Sequence, residues 1–268
     1  MDTQAVLEHL VTHRIAGDVA TRREDNLLKY GMFATRVPKA MFGLRPTGRW
    51  RLGDVLALMA RRCGVSPDPA RLRGADRIDP QLTLDALDRM AARLRAAARP
   101  GARVLVGTGH PAGLLPVHLA VAAALTAAGA EVLTPAAGWS YQVATRFGPS
   151  TREIRYVGGV AMVSDRGELK HSHSPRAMQQ MLAALAGAGE PPPDLVFGDH
   201  GWTGAAGQAG VEAVGFADSN DPALFVGEAE GSVAVTVPLD DNVAPHLYAP
   251  LTAYLLHRAG LEPANPSG

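Results

Sequence analysis

Residues 103–135, with the sequence RVLVGTGHPAGLLPVHLAVAAALTAAGAEVLTP, contain the pattern that decides the fold. The apolar RVLV is followed by a glycine-rich turn and then by a segment with Leu114, Val117 and Val121 at helical spacing. A second apolar piece, EVLTP, completes the stretch. Strand, turn, helix and strand in this order predict a βαβ unit, in which the two strands lie parallel in one sheet.

The chain downstream repeats the alternation of apolar strands and small-residue helices. Sheet-forming segments are predicted at 154–165, with a short ELKH partner across a turn of Asp165, Arg166 and Gly167, and at the starts of 194–210, 212–221 and 232–242. Helices are predicted at 175–189 and at roughly 246–259. The fold class predicted is therefore α/β, with a mostly parallel open sheet flanked by helices.

The first hundred residues differ from the rest. Apolar residues such as Val55, Leu58 and Met59 recur at helical spacing, whereas the polar stretch around 22–29 and the run 42–50 predict loops. We expect residues 1–100 to form a helical N-terminal extension, or lid, packed on an α/β catalytic core. That core is expected to span residues 101–262, with a tail at 263–268.

Composition excludes several classes of protein. The 268 residues include 26 Lys and Arg and 26 Asp and Glu, with no segment that concentrates either sign, so no nucleic-acid partner is expected. A single cysteine, Cys63, excludes an internal disulfide and fits a reducing compartment. No stretch approaches the roughly 18 apolar residues of a membrane span, so no membrane partner is expected. The N-terminus is charged where a signal peptide is apolar, and we expect a cytoplasmic protein.

Polar clusters follow four of the predicted strands, at the edge of a parallel sheet where ligands bind. The first is the turn 107–113, in which Thr108, Gly109 and Gly113 are candidate substrate-binding residues and His110 is a candidate catalytic residue. A helix start has free N–H groups and the positive end of the helix dipole, and both favour an anion. The alternative is a tight turn without a ligand.

The second cluster is the segment 171–175. Alternate side chains of an extended segment share one side, and two imidazoles on one side can bind a metal or act as acid and base. His173 is a candidate catalytic residue, and His171 and Ser172 are candidate substrate-binding residues. The alternative is an exposed linker in which Ser174 only caps the following helix.

The third cluster is formed by Asp199 and His200, which follow the apolar DLVF. A carboxylate at the end of a buried strand must be solvated, paired or metal-bound, so both residues are candidate catalytic residues. Chance placement at a strand end is the alternative.

The fourth cluster is 218–221. Hard divalent cations prefer carboxylate ligands, so Asp218 and Asp221, together with Asp199, are predicted to bind a cation such as Mg²⁺. Asn220 is a candidate substrate-binding residue, although Asp-rich turns also occur without a metal. The run 240–242 repeats the pattern and is assigned a supporting or turn role.

Four polar residues near the N-terminus could clamp an anionic substrate. They are Arg22, Arg23, Asn26 and Lys29. A solvated charged face explains the same residues equally well. Cys63 has no His or Asp pattern around it and is interpreted as a small buried hydrophobic residue.

Several segments of the chain resemble a family of actinobacterial proteins that are usually labelled phosphatases. The segments are REDNLLKYGMFA, GHPAGLLPVHLAVA, RYVGGVAMVSDRGELKHSHSP, DLVFGDHGWTGAAGQAG, GFADSNDPALF and VTVPLDDN. A more distant likeness is to the catalytic domain of D-glutamate cyclases, in the order of a TG-x-P loop, a later glycine loop and an SN-containing strand end. Here these places hold GTGHP, GDHGWTGAAG and ADSND, and His200 stands where that family has a glycine.

The resemblance and the clusters predict a hydrolase of a small phosphate monoester. Helix N-termini would hold the phosphate, His and Asp side chains at strand ends would act as acid and base, and water would be the nucleophile. Two alternatives stay open: a lyase or cyclase that acts on a small carboxylate, and a non-catalytic small-molecule-binding domain. The expected partner is a small anionic substrate, and a homodimer is left open.

Overall fold

The computed structural model describes residues 2–146 and 148–261. Its helices are α1 Thr3–Thr12, α2 Arg23–Ala34, α3 Leu52–Arg62, α4 Pro80–Ala97, α5 Leu115–Ala127, α6 Arg176–Gly187, α7 His200–Gln208, α8 Pro222–Ala229 and α9 Ala249–Ala259. Its strands are β1 Gly17–Arg22, β2 Ala75–Ile78, β3 Arg103–Gly107, β4 Glu131–Val132, β5 Ser140–Thr145, β6 Gly148–Val157, β7 Val160–Asp165, β8 Glu168–Lys170, β9 Leu195–Asp199, β10 Ala213–Ala217 and β11 Val235–Pro238. The proposed tail at 263–268 lies outside the described residues.

A nine-stranded open sheet forms the centre of the molecule. Its main path has the order β11-β10-β9-β3-β7-β6-β5, with β4 paired to β3 and β8 paired to β7. Strands β11, β10, β9, β3 and β7 run parallel. Strands β6 and β8 pair antiparallel with β7, and β5 pairs antiparallel with β6. The predicted α/β class with a mostly parallel open sheet is confirmed.

Apolar side chains on both faces explain why the central strands are parallel and buried. In β3, Val104 and Val106 belong to the hydrophobic cluster that also contains residues of α4, α5 and α9. Leu105, which points to the other face, belongs to a second cluster with residues of α6 and α7. Helices therefore cover both faces of the sheet, as parallel strands require.

The N-terminal region contains more regular structure than the sequence predicted. A helix, α2, occupies the stretch around 22–29 for which a loop was expected, and β1 pairs antiparallel with β2 in a separate two-stranded sheet. The loop prediction was wrong because α2 buries polar residues, Arg23 and Asn26, alongside Tyr30 and Phe33. The buried face of α2 therefore does not show as a stripe of apolar residues at helical spacing in the sequence.

The predicted strand at 154–165 is two strands. Gly158 and Gly159 have φ values of 53° and 81°, and they turn the chain between β6 and β7. These left-handed values suit glycine, which has no Cβ to clash. The predicted turn between β7 and β8 is confirmed, since Arg166 and Gly167 lie between these strands. Strand β5 was not predicted.

The N-terminal region packs directly on the sheet. Leu84, Leu87 and Met90 of α4 are buried in the same hydrophobic cluster as Val235 of β11 and Leu255 of α9. The division of the chain at residue 100 stays a prediction. In the part of the chain that the structure describes, no helix has the length and apolarity to cross a bilayer.

Candidate active site

Five loops meet at the edge of the sheet where the parallel strands end. They follow β3, β8, β9, β10 and β11, and each contributes polar side chains to one cluster. In an open α/β sheet this edge, beyond the carboxyl ends of the strands, is the usual position of a ligand site.

Four histidines form the centre of the cluster. The Nε2 atoms of His171 and His173 lie 2.7 Å apart, and the Nε2 atoms of His173 and His110 lie 3.2 Å apart. The ring of His173 stacks on that of His200, with 4.0 Å between centroids and 13° between planes. The ring of His110 is 4.3 Å from that of His200. Four imidazoles from three separate loops therefore share one small volume.

Three carboxylates surround His200, which is fully buried. Its Nδ1 lies 3.2 Å from Asp199 Oδ1, and its Nε2 lies 2.9 Å from Asp221 Oδ2. Asp241 Oδ2 also lies 3.3 Å from this Nε2, but not in hydrogen-bond geometry. Among the described residues, Asp241 Oδ2 therefore has no hydrogen-bond partner. Asp241 Oδ1 lies 3.6 Å from His110 Nε2.

Asp199 connects the glycine-rich turn to His200. The Thr108 hydroxyl donates to Asp199 Oδ2 at 2.5 Å, and the Gly109 N–H donates to Oδ1 at 2.8 Å. The His110 N–H donates in turn to the Thr108 hydroxyl at 3.0 Å. The backbone donors of Gly109 and His110, which were predicted to face an anion, are therefore used within the protein.

Close backbone approaches hold the loops together. The Ser172 N–H donates to the Gly109 carbonyl at 2.9 Å. A Cβ at Gly109 would lie 2.2 Å from the Ser172 carbonyl oxygen, and a Cβ at Gly201 would lie 2.3 Å from the His173 carbonyl oxygen. Only glycine permits these distances, so Gly109 in the turn after β3 and Gly201 in the first turn of α7 allow the histidine loops to approach.

His200 has a strained backbone at the start of α7. Its φ is 42°, in the left-handed region that non-glycine residues rarely adopt. Such a conformation costs about 1–3 kcal/mol and persists only where the surroundings fix it. Here Asp199 and Asp221 hold the ring from both sides, and Phe42 packs edge-on against it with 5.1 Å between centroids.

Burial and neighbouring charges shift the pKa values of these histidines in different directions. Burial, followed by the nearby imidazoles, lowers the pKa of His171 and of His173. Burial would also lower the pKa of His200, but the Asp221, Asp199 and Asp241 carboxylates raise it well above its usual range. The lowered pKa values favour the neutral form of His171 and His173, whereas the raised pKa favours the protonated form of His200.

The pKa values of three aspartates near the cluster are also shifted in different directions. Burial opposes ionisation of Asp199, but the His110 and His200 rings beside it hold its pKa well below the usual range. The pKa of Asp241 is lowered in spite of burial, by the adjacent His200 and His110 rings. Burial and the charges of Asp241 and other aspartates raise the pKa of Asp218 well above the usual range.

Asp218 lies beside the cluster rather than among the histidines. It accepts hydrogen bonds from the Thr21 hydroxyl and from the Ser219 N–H. Asn220 is partly exposed on the same turn. The metal-binding role of Asp218 and the substrate-binding role of Asn220 stay predictions.

The N-terminal candidates have different environments. Lys29 Nζ lies 3.9 Å from Asp221 Oδ1, so this amine reaches the edge of the cluster. Arg22 is exposed and pairs with Glu24. Arg23 is buried and pairs with Asp76 at 3.2 Å.

Asn26 is buried too, and it links two parts of the chain. Its amide donates to Asp76 and its carbonyl accepts from the Ser219 hydroxyl. The substrate-binding roles predicted for the four N-terminal residues stay predictions, and of these residues only Lys29 has a contact with a carboxylate of the cluster.

Sequence reasoning missed or ranked low three residues of the site. Asp241 was given a supporting role, although it faces both His110 and His200. His118 is buried on α5, with Nε2 3.8 Å from Asp199 Oδ2, and burial lowers its pKa. Phe42 packs against His173 and His200. The acidic pair after β11 was a usable signal for Asp241, but a lone His or Phe gave none.

Three groups of side chains in the cluster could hold a metal ion. They are His110, His171 and His173; His110, His200 and Asp241; and His173, His200 and Asp221, each with ligand atoms within 4.8 Å of one another. The groups share imidazoles, so they cannot all be occupied at once. Of the three aspartates predicted as metal ligands, Asp221 belongs to one of these groups.

A cavity of about 340 Å³ opens beside the imidazoles. His110, Gly113, His171 and Asp241 line it together with the apolar Pro111 and Leu169. A larger cavity of about 580 Å³ lies at the antiparallel side of the sheet, where Arg152 pairs with Asp165, and its lining residues do not include the histidines. The smaller cavity is therefore the one that borders the histidine cluster.

Fold and cluster together define an α/β protein with an enzyme-like site at the carboxyl edge of its parallel strands. The model of a family described as Phosphatase matches residues 1–263. The chain is also 50% identical over 259 residues to the protein "Phosphatase SCO2771" of Streptomyces coelicolor, an alignment that covers 95% of each protein. The chain belongs to this Phosphatase family, and both matches support a phosphatase.

Proposed function

We propose that this phosphatase hydrolyses a small phosphate monoester at the four-histidine cluster, with the help of a divalent cation. One observation carries the proposal: His110, His171, His173 and His200 converge beside Asp199, Asp221 and Asp241 and next to the cavity. Phosphoryl transfer needs positive charge around the phosphoryl oxygens and a group that moves a proton, and this cluster can supply both.

The proposed position of the phosphate is the cavity lined by His110, His171 and Asp241. The glycine-rich turn before α5 was expected to hold the phosphate through backbone N–H groups, but Gly109 and His110 use theirs within the protein. Imidazoles, a cation and Lys29 are therefore the groups proposed to attract the anion. A divalent cation bound here would neutralise phosphoryl charge and make water more acidic.

His200 is the residue proposed to move the proton. Its two ring nitrogens face two carboxylates, Asp199 and Asp221, at 3.2 and 2.9 Å. Asp199 would fix the orientation of the ring through Nδ1, and Nε2 would exchange a proton with a reacting group once its contact with Asp221 is given up. His110 and His173, predicted as catalytic residues, lie against the same ring and are proposed to act through the cation.

The test is phosphate release from a panel of small phosphate esters, measured with and without Mg²⁺, Mn²⁺ and Zn²⁺. We expect the wild-type protein to hydrolyse at least one ester, and His200→Gln to lower kcat by about 100-fold or more, the range of general acid catalysis. His13→Gln is the matched control, because the His13 ring contacts His9 and lies outside the cluster. Equal rates for the two variants would exclude the role of His200. Turnover of a small carboxylate with no release of phosphate would favour the lyase or cyclase alternative.

A further inference from the structure

We propose that His110, His171 and His173 form an all-imidazole site for a divalent transition-metal ion of the Zn²⁺ class, and that Mg²⁺ is not its natural occupant. The inference rests on the proposed function, because it names the metal ion that the same site would use. Metal binding itself can be measured without any substrate.

The distances between the nitrogens carry the first step. His173 Nε2 lies 2.7 Å from His171 Nε2 and 3.2 Å from His110 Nε2. A neutral imidazole nitrogen carries either one hydrogen or one lone pair, so His173 Nε2 cannot satisfy both neighbours by hydrogen bonding. Tetrahedral Zn²⁺ with Zn–N bonds of about 2.0–2.1 Å would place its nitrogens about 3.3 Å apart. The 3.2 Å distance matches this value, whereas the 2.7 Å distance between His171 and His173 would have to lengthen by about 0.6 Å when an ion binds.

The surroundings of His110 carry the second step. His110 is 6% exposed, and its Nδ1 has no hydrogen-bond partner among the described residues. The nearest carboxylate oxygen, Asp199 Oδ1, is 3.8 Å away. Metal-binding histidines usually direct the ring nitrogen that does not bind the metal to a carboxylate, which fixes the tautomer. Asp199 would become this partner of His110 if the 3.8 Å gap closed, and Nε2 would then be the nitrogen with the free lone pair.

The local chain explains why two histidines face the same way. His171 and His173 alternate along an extended segment and so share one side. Between them, Ser172 donates its N–H to the Gly109 carbonyl, and this bond fixes the segment beside the turn that holds His110. The site therefore draws its ligands from two segments that hydrogen-bond to each other.

The donor atoms select the metal. Imidazole suits Zn²⁺ and its neighbours in the first transition series, whereas Mg²⁺ requires oxygen ligands in octahedral geometry. Asp241 Oδ1 lies 3.6 Å from His110 Nε2, and Asp199 Oδ1 lies 3.8 Å from the other ring nitrogen of His110, Nδ1. The three donor atoms of the triad itself are all imidazole nitrogens. Since the cavity adjoins His110, His171 and Asp241, a ligand position that faces it would stay open to the phosphate.

The experiment measures metal binding by the full chain, free of any histidine tag and stripped with a chelator. Titration calorimetry with Zn²⁺, Co²⁺ and Mg²⁺ gives the affinities, and the visible absorption of bound Co²⁺ reports its ligands. We expect Zn²⁺ and Co²⁺ to bind at least about 100-fold more tightly than Mg²⁺. His171→Ala should weaken Co²⁺ binding at least about tenfold and change the Co²⁺ spectrum. His171 is exposed, so this variant should fold, and its circular dichroism spectrum checks that.

His246→Ala, which removes an exposed histidine outside the cluster, is the matched control. Similar affinities for Zn²⁺ and Mg²⁺, or the same Co²⁺ affinity in both variants, would overturn the inference. Tight Zn²⁺ binding without hydrolysis of any phosphate ester would leave the inference standing and remove the proposed function. A phosphatase that is activated by Mg²⁺ alone and binds Zn²⁺ weakly would overturn the inference and leave the proposed function standing.

Discussion

Replacement of Asp199 by asparagine should destabilise the fold, because it removes one acceptor at a buried site that needs two. In the native protein one carboxylate oxygen accepts from the Thr108 hydroxyl and the other accepts from Gly109 and faces His200. In the variant, the amide nitrogen of the new side chain would face the Thr108 hydroxyl, which already accepts from the His110 N–H. The hydroxyl hydrogen then has no acceptor, and such an orphan costs about 1–3 kcal/mol.

Loss of the charge beside His200 adds to this cost, although Asp221 still faces the other nitrogen of the ring. We expect Asp199→Asn to lower the free energy of unfolding by about 2–4 kcal/mol in total. At about 2–4 °C per kcal/mol for a domain of this size, Tm should fall by roughly 5–15 °C.

Thermal unfolding followed by circular dichroism or calorimetry measures the effect. The matched control is Asp85→Asn, an isosteric change at an exposed position of α4 where the carboxylate accepts only from the Gln81 side chain among the described residues. This control should change the free energy of unfolding by no more than about 0.5 kcal/mol. If Asp199→Asn melts within the range of the control, the carboxylate does not organise the site and the argument is refuted.

Two further perturbations test the loops and the sheet. Gly201→Ala should lower both Tm and activity, because the new Cβ would lie 2.3 Å from the His173 carbonyl oxygen. Gly31→Ala, at a helical position with no described neighbour within 4 Å, should instead raise the free energy of unfolding by up to about 1 kcal/mol, and an equal response of both variants would contradict this reasoning. The Ser150 hydroxyl, and after it Arg152, hold the pKa of Asp165 below its usual range, so Ser150→Ala should raise that pKa in a carboxyl NMR titration. Since the pKa of Asp165 is depressed in the folded protein, its carboxylate stabilises the fold at pH values above its usual pKa of about 3.9. That contribution is lost as the pH falls through the pKa of the folded state. An unchanged Asp165 pKa in the Ser150→Ala variant would refute the role given to the Ser150 hydroxyl.

The sheet could be predicted from the sequence because its strands are nearly all apolar. A run such as RVLV followed by a glycine turn has few other stable arrangements, and the strands β3, β9, β10 and β11 were all expected. The antiparallel side was harder to predict. Gly158 and Gly159 split one apolar stretch into two strands, and an apolar run alone does not show where it turns.

The site was partly predictable for a related reason. Side chains at the ends of adjacent parallel strands must meet, so the convergence of His110, Asp199 and His200 follows from the fold. The position of His173 depends on a long antiparallel excursion whose return point the sequence does not specify. Helix α2 was missed because part of its buried face is polar, with Arg23 paired to Asp76 of β2. Periodicity in hydrophobicity does not register such a face.

The hydrogen bonds between α2 and the turn after β10 have a consequence for engineering. Tyr30 donates to the Ser219 carbonyl at 2.6 Å, and the Ser219 hydroxyl donates to Asn26 at 3.2 Å. Residues near the start of the chain thereby set the shape of a turn close to its other end. A designer who wishes to alter substrate choice can leave the crowded histidines alone and vary Lys29, a partly exposed side chain of α2 that borders the site.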